Sequence, residues 1–289
     1  MDIVAVQIIN GLSYGMILFL VTVGLSLILG IMGVLNLAHG SFYMLGAYVA
    51  FSLVVRSGYP FLLALLIAPL VIAGLSLLLE MGLLRPTYRL GHLSQVLLTF
   101  GLAYMIHDVI RLIWGSNVQS LPLPASLNRP LEVFGQTMPS YRLYVLLGGL
   151  IIVLAMELLQ SKTRWGAMIR AGLTNPEMVE SLGINIKRVH TVVFAIGGFL
   201  AGLGGVVVAP VFGLAPGMEF EILILSLVVL VIGGLGTLSG PLVASLVVGL
   251  VDTFGKVLFP ELSLVLVFAL MAVVLILKPT GLFGKQVVE

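Results

Sequence analysis

Asn36 and His39 stand three residues apart inside a run, Ile3 to Val55, that contains no Asp, Glu, Lys or Arg. An amide and an imidazole are costly in hydrocarbon, so both must face protein, water or a membrane boundary. Two uses fit the pair. Asn36 can cap a helix that begins just after it, with His39 in the first turn near the surface. Alternatively, a broken helix can line a route, offering backbone carbonyls and a helix N-terminus to polar cargo.

Elsewhere the chemistry is thinner. Asp108 and Arg111, three apart, and Asp252 and Lys256, four apart, have the spacing of local helical ion pairs. Glu219 and Glu221 read as solvated charges at the rim of a span, although acids inside a membrane can also mark a proton route. His92, His107 and His190 each stand alone near the end of an apolar segment. The chain has no HExxH, no GxxxxGK[ST] loop, no paired carboxylates in one apolar span and no serine–histidine–aspartate arrangement, so enzymatic chemistry is not expected. Cysteine is absent, which removes disulfides, thiolate metal sites and thiol nucleophiles. No cofactor or metal is expected, and if ATP drives this protein another chain must hydrolyse it.

The elements that must position these residues follow from composition. Of 289 residues, 60% are apolar and 9% charged, with mean hydropathy +1.21, whereas soluble domains carry about 25% charged residues. The chain is therefore an all-α, polytopic transmembrane helix bundle, its 34 glycines suited to close helix contacts in lipid. A net charge of +2, spread along the chain, suggests no nucleic-acid partner. The first residues lack the basic region of a cleavable signal, so the first apolar segment is expected to remain as a span.

Apolar runs long enough to cross a core of roughly 30 Å lie near 7–29, 37–55, 61–84, 93–114, 142–160, 190–211, 219–236, 241–258 and 262–277. Nine spans are expected within a range of about eight to ten, in one transmembrane domain over 1–289. Short apolar pieces flank GGLGTLSGP (233–241), where broken or re-entrant helices are possible. An odd count puts the termini on opposite sides. With the C-terminus in the cytoplasm, Arg85, Arg89, Lys162, Arg164, Arg170, Lys187, Arg188, Lys278 and Lys285 lie inside, against Arg56, Arg111, Arg129, Arg142 and Lys256 outside. That asymmetry favours this orientation.

Two loops are long. The external loop 116–140 carries Pro122, Pro124, Pro130 and Pro139 and reads as an extended crossover. The cytoplasmic loop 161–189 carries a helix signal: Asn175 as N-cap, Pro176 at the first helical position, Glu177 and Glu180 at the positive end, and Gly183 as terminator. So short a helix is marginal alone. Met178, Val179 and Leu182 would give it a small apolar face for a partner.

EMVESLG (177–183) resembles the EAAxxxG core of the loop by which ABC-importer permeases dock on their ATPases, with Met178 and Val179 where that core has alanines. The stretch GLSYGMILFLVTVGLSLILGIMGVLNLAHGSFYMLGAYVAF (11–51) resembles the opening of the branched-chain amino-acid ABC permeases, in the subunit type with N-x-A-H-G-x-F-Y-M-x-G-A-Y. GINIKR (183–188), FAIGGFLAGLGGVV (194–207), GGLGTLSGP (233–241) and KPTGLFGK (278–285) are similar to that family too. The resemblance implies a multi-pass permease of the bacterial inner membrane. Its partners would be a second, homologous permease subunit, two cytoplasmic ABC ATPases and an extracytoplasmic binding protein for leucine, isoleucine or valine.

Alternating access would then be driven through Glu177, Met178, Val179, Glu180, Leu182 and Gly183. The cargo would pass Asn36, His39 and the small residues Gly46, Ala47, Gly198, Ala201 and Gly202. Similar permeases carry urea or short amides. The rival reading, a stand-alone secondary transporter or channel, would need an ion site among Asp108, Glu219, Glu221 and Asp252.

Overall fold

The computed structural model describes residues 2–133, 135–174, 176–234 and 238–284. Eleven helices are formed among the described residues: α1 (Asp2–Met32), α2 (His39–Phe51), α3 (Phe61–Leu79), α4 (His92–Trp114), α5 (Tyr141–Lys162), α6 (Arg164–Thr174), α7 (Pro176–Ser181), α8 (Ile186–Phe212), α9 (Met218–Gly233), α10 (Ser239–Leu258) and α11 (Ser263–Leu277). Seven segments are long and apolar enough to span: α1, α3 with its continuation to Arg89, α4, α5, α8, α10 and α11 with the turn before it. The remaining two of the nine expected segments are shorter. α9 has 16 residues, and α2 has 13 before a π-helical turn, Ser52–Arg56, extends it. At 1.5 Å per residue α9 covers only about 24 Å, less than the hydrocarbon thickness.

Small residues set the packing. Gly24 of α1 faces Gly197 of α8, and Gly204 of α8 faces Val21 of α1, so these two run antiparallel. Gly11 and Gly15 of α1 meet Leu250 and Leu246 of α10 in the same antiparallel sense, and Ile72 and Ser76 of α3 meet Gly202 and Gly198 of α8. Dispersion across such close backbones, not water release, is what holds helices together in lipid. α1 and α8 are thereby interior, while α11 buries only Val267.

The bundle has two distinguishable ends. At one, α1 terminates at Gly33, whose φ of +65° closes the helix with an N–H bond to the Leu29 carbonyl, and α6 packs nearby. At the other, Tyr14 meets Phe212, Ser13 Oγ donates to the Arg142 carbonyl, and the connection 116–140 lies across. That connection is not a plain crossover: β1 (Pro130–Val133) and β2 (Gln136–Pro139) form an antiparallel hairpin, and Gln119 exchanges two 2.8 Å backbone bonds with Leu214. Two glycine-rich stretches far apart in sequence also join. The N–H groups of Leu282 and Phe283 donate to the carbonyls of Ile232 and Gly233 at 2.8 and 3.0 Å, so residues 281–284 cap α9. The N-terminus of α1 is at the hairpin end and residues 278–284 are at the α6–α7 end.

Candidate functional site

α2 and α9 both begin inside the bundle, where their N-termini meet: a Cβ on Gly40 would lie 2.2 Å from the Glu219 carbonyl oxygen. Asn36 and His39 are both fully buried here. Asn36 Oδ1 accepts the Ala38 N–H at 3.1 Å and so braces the turn before α2. The N-cap position is Ala38, with no side-chain cap, so the expected capping by Asn36 is not formed, and the turn lies in the interior and not at a membrane surface. Leu37 N–H donates to Thr99 Oγ1 of α4 at 3.2 Å, fixing the climb from Gly33. His39 Nε2 lies 2.9 Å from the Val21 carbonyl. A carbonyl only accepts, so Nε2 carries the proton and Nδ1 is left as an acceptor. Asn36 Nδ2, His39 Nδ1, Gln95 Oε1 and Tyr48 OH are buried with no protein partner.

Glu219 corrects the expectation of a solvated rim charge. It is 1% exposed; His107 Nδ1 is 2.5 Å from its Oε1, and the Gly217 N–H donates to Oε2 at 2.8 Å. A carboxylate at the first turn of α9 also complements the helix dipole. His107, read from sequence as solitary, thus ties α4 to α9, whereas Glu221 is exposed. The sequence signal was the Gly217-Met218-Glu219 entry to an apolar segment, which places an acid where a helix start needs an acceptor.

The small residues read as a passage form closed contacts in this structure. A Cβ on Gly46 would be 2.3 Å from the Gly202 carbonyl, one on Gly198 would strike Ser76, and Ala47 and Ala201 have no exposure. They weld α2, α3 and α8 together in this conformation.

The second candidate region is the connection 161–189. It contains two helices, not one. Thr163 accepts the Gly166 N–H at 3.0 Å and starts α6, a capping signal that the sequence reading passed over. α7 follows as expected and ends in a Schellman closure: Gly183, at φ +81°, donates to the Glu180 carbonyl and Ile184 to that of Val179. Asn175, the expected cap, lies outside the described residues, as does Lys285. The apolar face is split. Val179 is 2% exposed and faces the body of the protein, where α7 packs on α6 and α8, whereas Met178 and Leu182 are 62% and 71% exposed. Positions 178 and 182 share one helix face.

A cluster not anticipated from sequence joins this connection to the bundle. Glu80, fully buried at the end of α3, accepts from Arg85 Nη2 (2.8 Å) and Nε (3.2 Å), Tyr88 OH (2.7 Å) and Thr191 Oγ1 (2.8 Å). Arg85 also donates to Thr191. Each lone pair of the carboxylate is used, the condition under which a buried charge is tolerated. The cluster links α3 to the first turns of α8, directly after α7. Its signal was Glu80, Arg85 and Tyr88 in close succession at the end of an apolar run. Of the expected ion pairs, Lys256 bonds Asp252 at 2.6 Å, while Arg111 turns to Ser116 Oγ at 3.3 Å.

A family model described as the branched-chain amino acid transport system permease component matches residues 7–275. The chain is 27% identical to the high-affinity branched-chain amino acid transport system permease protein BraD of Pseudomonas aeruginosa, over 98% of this chain and 96% of that protein. It is also 27% identical to the LivH permease protein of the corresponding Escherichia coli system, with the same coverage. To LivM, another permease protein of that system, it is 26% identical over 92% of this chain and 68% of LivM. No solved structure matches.

Proposed function

The chain belongs to the branched-chain amino acid transport permease family, and on that premise we propose that it is the membrane subunit of an ATP-driven importer for leucine, isoleucine or valine. Its partners are a second, homologous permease subunit, two cytoplasmic ATPases and an extracytoplasmic binding protein. Similarity to both LivH and LivM favours a pair of related but distinct permeases. The membrane is the bacterial inner membrane, with residues 161–189 and the C-terminus on the cytoplasmic side.

The observation that carries this reading is the α7 helix, which shows Met178 and Leu182 outward while Val179 anchors it. Such an exposed apolar pair beyond the ends of the spans suits a partner groove. Closure of the ATPases on ATP moves α7; α8 and the Glu80 cluster pass that motion to α3 and to α4. α4 in turn is tied to α9 through His107 and Glu219. Separation of α2 and α9 then frees the unpaired groups of Asn36 and His39 to face cargo, with Gly46, Ala47, Gly198, Ala201 and Gly202 lining the opened route. Alternating access of this kind needs two discrete packings of the same helices.

The test is reconstitution with the two ATPases, the second permease and the binding protein, followed by uptake of labelled leucine. Uptake must require ATP and must vanish when the ATPases are omitted. Accumulation by this chain alone, driven by an ion gradient, would make it a secondary carrier and defeat the reading.

A further inference from the structure

On the outside of the bundle, α3, α5 and α8 leave between them a groove of about 410 Å³. Ile152, Ala155 and Leu159 line it from α5, Val192, Ala195 and Phe199 from α8, and α3 supplies the third wall. The lining side chains are apolar throughout. The groove occupies the second half of α5 and the first half of α8, so it lies in the half of the bundle nearer the α6–α7 end.

The charges at that mouth are not arbitrary. Lys162 continues the 152-155-159 series by three residues, and Arg188 precedes Val192 by four, so both stand one turn beyond the groove on the helix faces that form it. Both side chains are exposed, and neither is in an ion pair among the described residues. Glu157, the acid on this half of α5, falls on the opposite helix face from Ala155 and Leu159. Three residues after Lys162, Trp165 is 42% exposed at the start of α6, a residue type that settles at headgroup depth. An apolar groove with an exposed cation one turn beyond it on each of two lining helices, while the acid at the end of the α3 wall, Glu80, is paired with Arg85, matches one kind of molecule.

We propose that the α3–α5–α8 groove binds an anionic phospholipid, an acyl chain lying along the three helices and the phosphate held by Lys162 and Arg188. Charge selects the headgroup; the groove selects nothing beyond a flexible hydrocarbon chain. A lipid wedged there would also brace α8 against α3 and α5 close to the element that receives the motor.

The experiment is native mass spectrometry of the purified full chain with phosphatidylglycerol or phosphatidylcholine of identical acyl chains. The wild type is expected to retain phosphatidylglycerol preferentially. Each basic residue near an anionic lipid is worth about fivefold in binding, so Lys162→Gln with Arg188→Gln should lose about thirtyfold for phosphatidylglycerol and nothing for phosphatidylcholine. Ala195→Phe, which fills the groove, should lower retention of both. Because the two exposed substitutions leave the interior untouched, they keep the test open if Ala195→Phe fails to fold. Equal retention of the two lipids by the wild type, or undiminished phosphatidylglycerol in the double variant, would overturn the proposal. So would cross-linking from Ala195→Cys to another permease chain in the assembled transporter, since a protein would then occupy the groove.

Discussion

Replacing Gly40 by alanine tests whether the meeting of α2 and α9 is a working contact. The added methyl would sit 2.2 Å from the Glu219 carbonyl and 3.2 Å from Leu223 Cβ. Real Cβ contacts essentially never fall below 3.0 Å, so the two helix starts must part by 3.0 − 2.2 = 0.8 Å. The obstacle is backbone, which has no rotamer with which to retreat. Overpacking of this kind costs about 1–3 kcal/mol. If the crossing is closed in one transport state and open in another, the same energy shifts their ratio about 5- to 150-fold. Gly40→Ala should therefore leave a membrane-inserted protein whose ATPase partners still hydrolyse ATP while leucine uptake falls at least several-fold. Gly74→Ala is the control: it is also within a helix but has nothing within 4 Å, and should transport normally. Uptake and ATP hydrolysis would be measured in the same proteoliposomes, with thermal melting to gauge the strain. Normal uptake by Gly40→Ala with an unshifted melting temperature would refute the view that transport depends on closing the α2–α9 crossing to this distance.

Gly183→Pro should abolish uptake and co-purification of the ATPase without loss of membrane protein, because proline cannot adopt φ +81° and has no N–H for the Glu180 carbonyl; Glu177→Lys, by reversing an acid at the start of α7, should weaken the same association, and normal pull-down in both would remove the coupling role. A reporter fused after Lys285 should read as cytoplasmic and one inserted near Ser126 as external; both on one side would mean that the number of crossings between them is miscounted. Ala201→Phe and His39→Ala should slow leucine and valine uptake together, since apolar walls separate one methylene by only about 1–3 kcal/mol. A reversed order of preference at preserved rate, measured by competition against a polar amino acid with the same binding protein, would instead locate a specificity site in this subunit.

Hydropathy made the membrane bundle legible because a span must satisfy its own backbone and coat itself in apolar side chains, both of which are local properties. The start of α6 at Thr163 and the stop of α7 at Gly183 were equally local, since a cap needs only its neighbours three or four residues away. The Asn36–His39 interruption marked where a helix begins, and its polarity showed that something must shelter it. What it could not show was the depth. A helix start near a surface and one in the middle of a bundle use the same capping bonds; the choice depends on whether α4 and α9 bring Thr99 and Gly217–Glu219 alongside. The same reason separates Glu219 from Glu221: in sequence they are two acids at one boundary, but only Glu219 turns toward His107, more than a hundred residues away. Val179, too, differs from Met178 and Leu182 only because α6 and α8 lie beneath it. The union of Ile232 and Gly233 with Leu282 and Phe283 has no local precursor. Whether a buried polar group is tolerated is decided by its partner, and partners distant in the chain are supplied by tertiary packing alone.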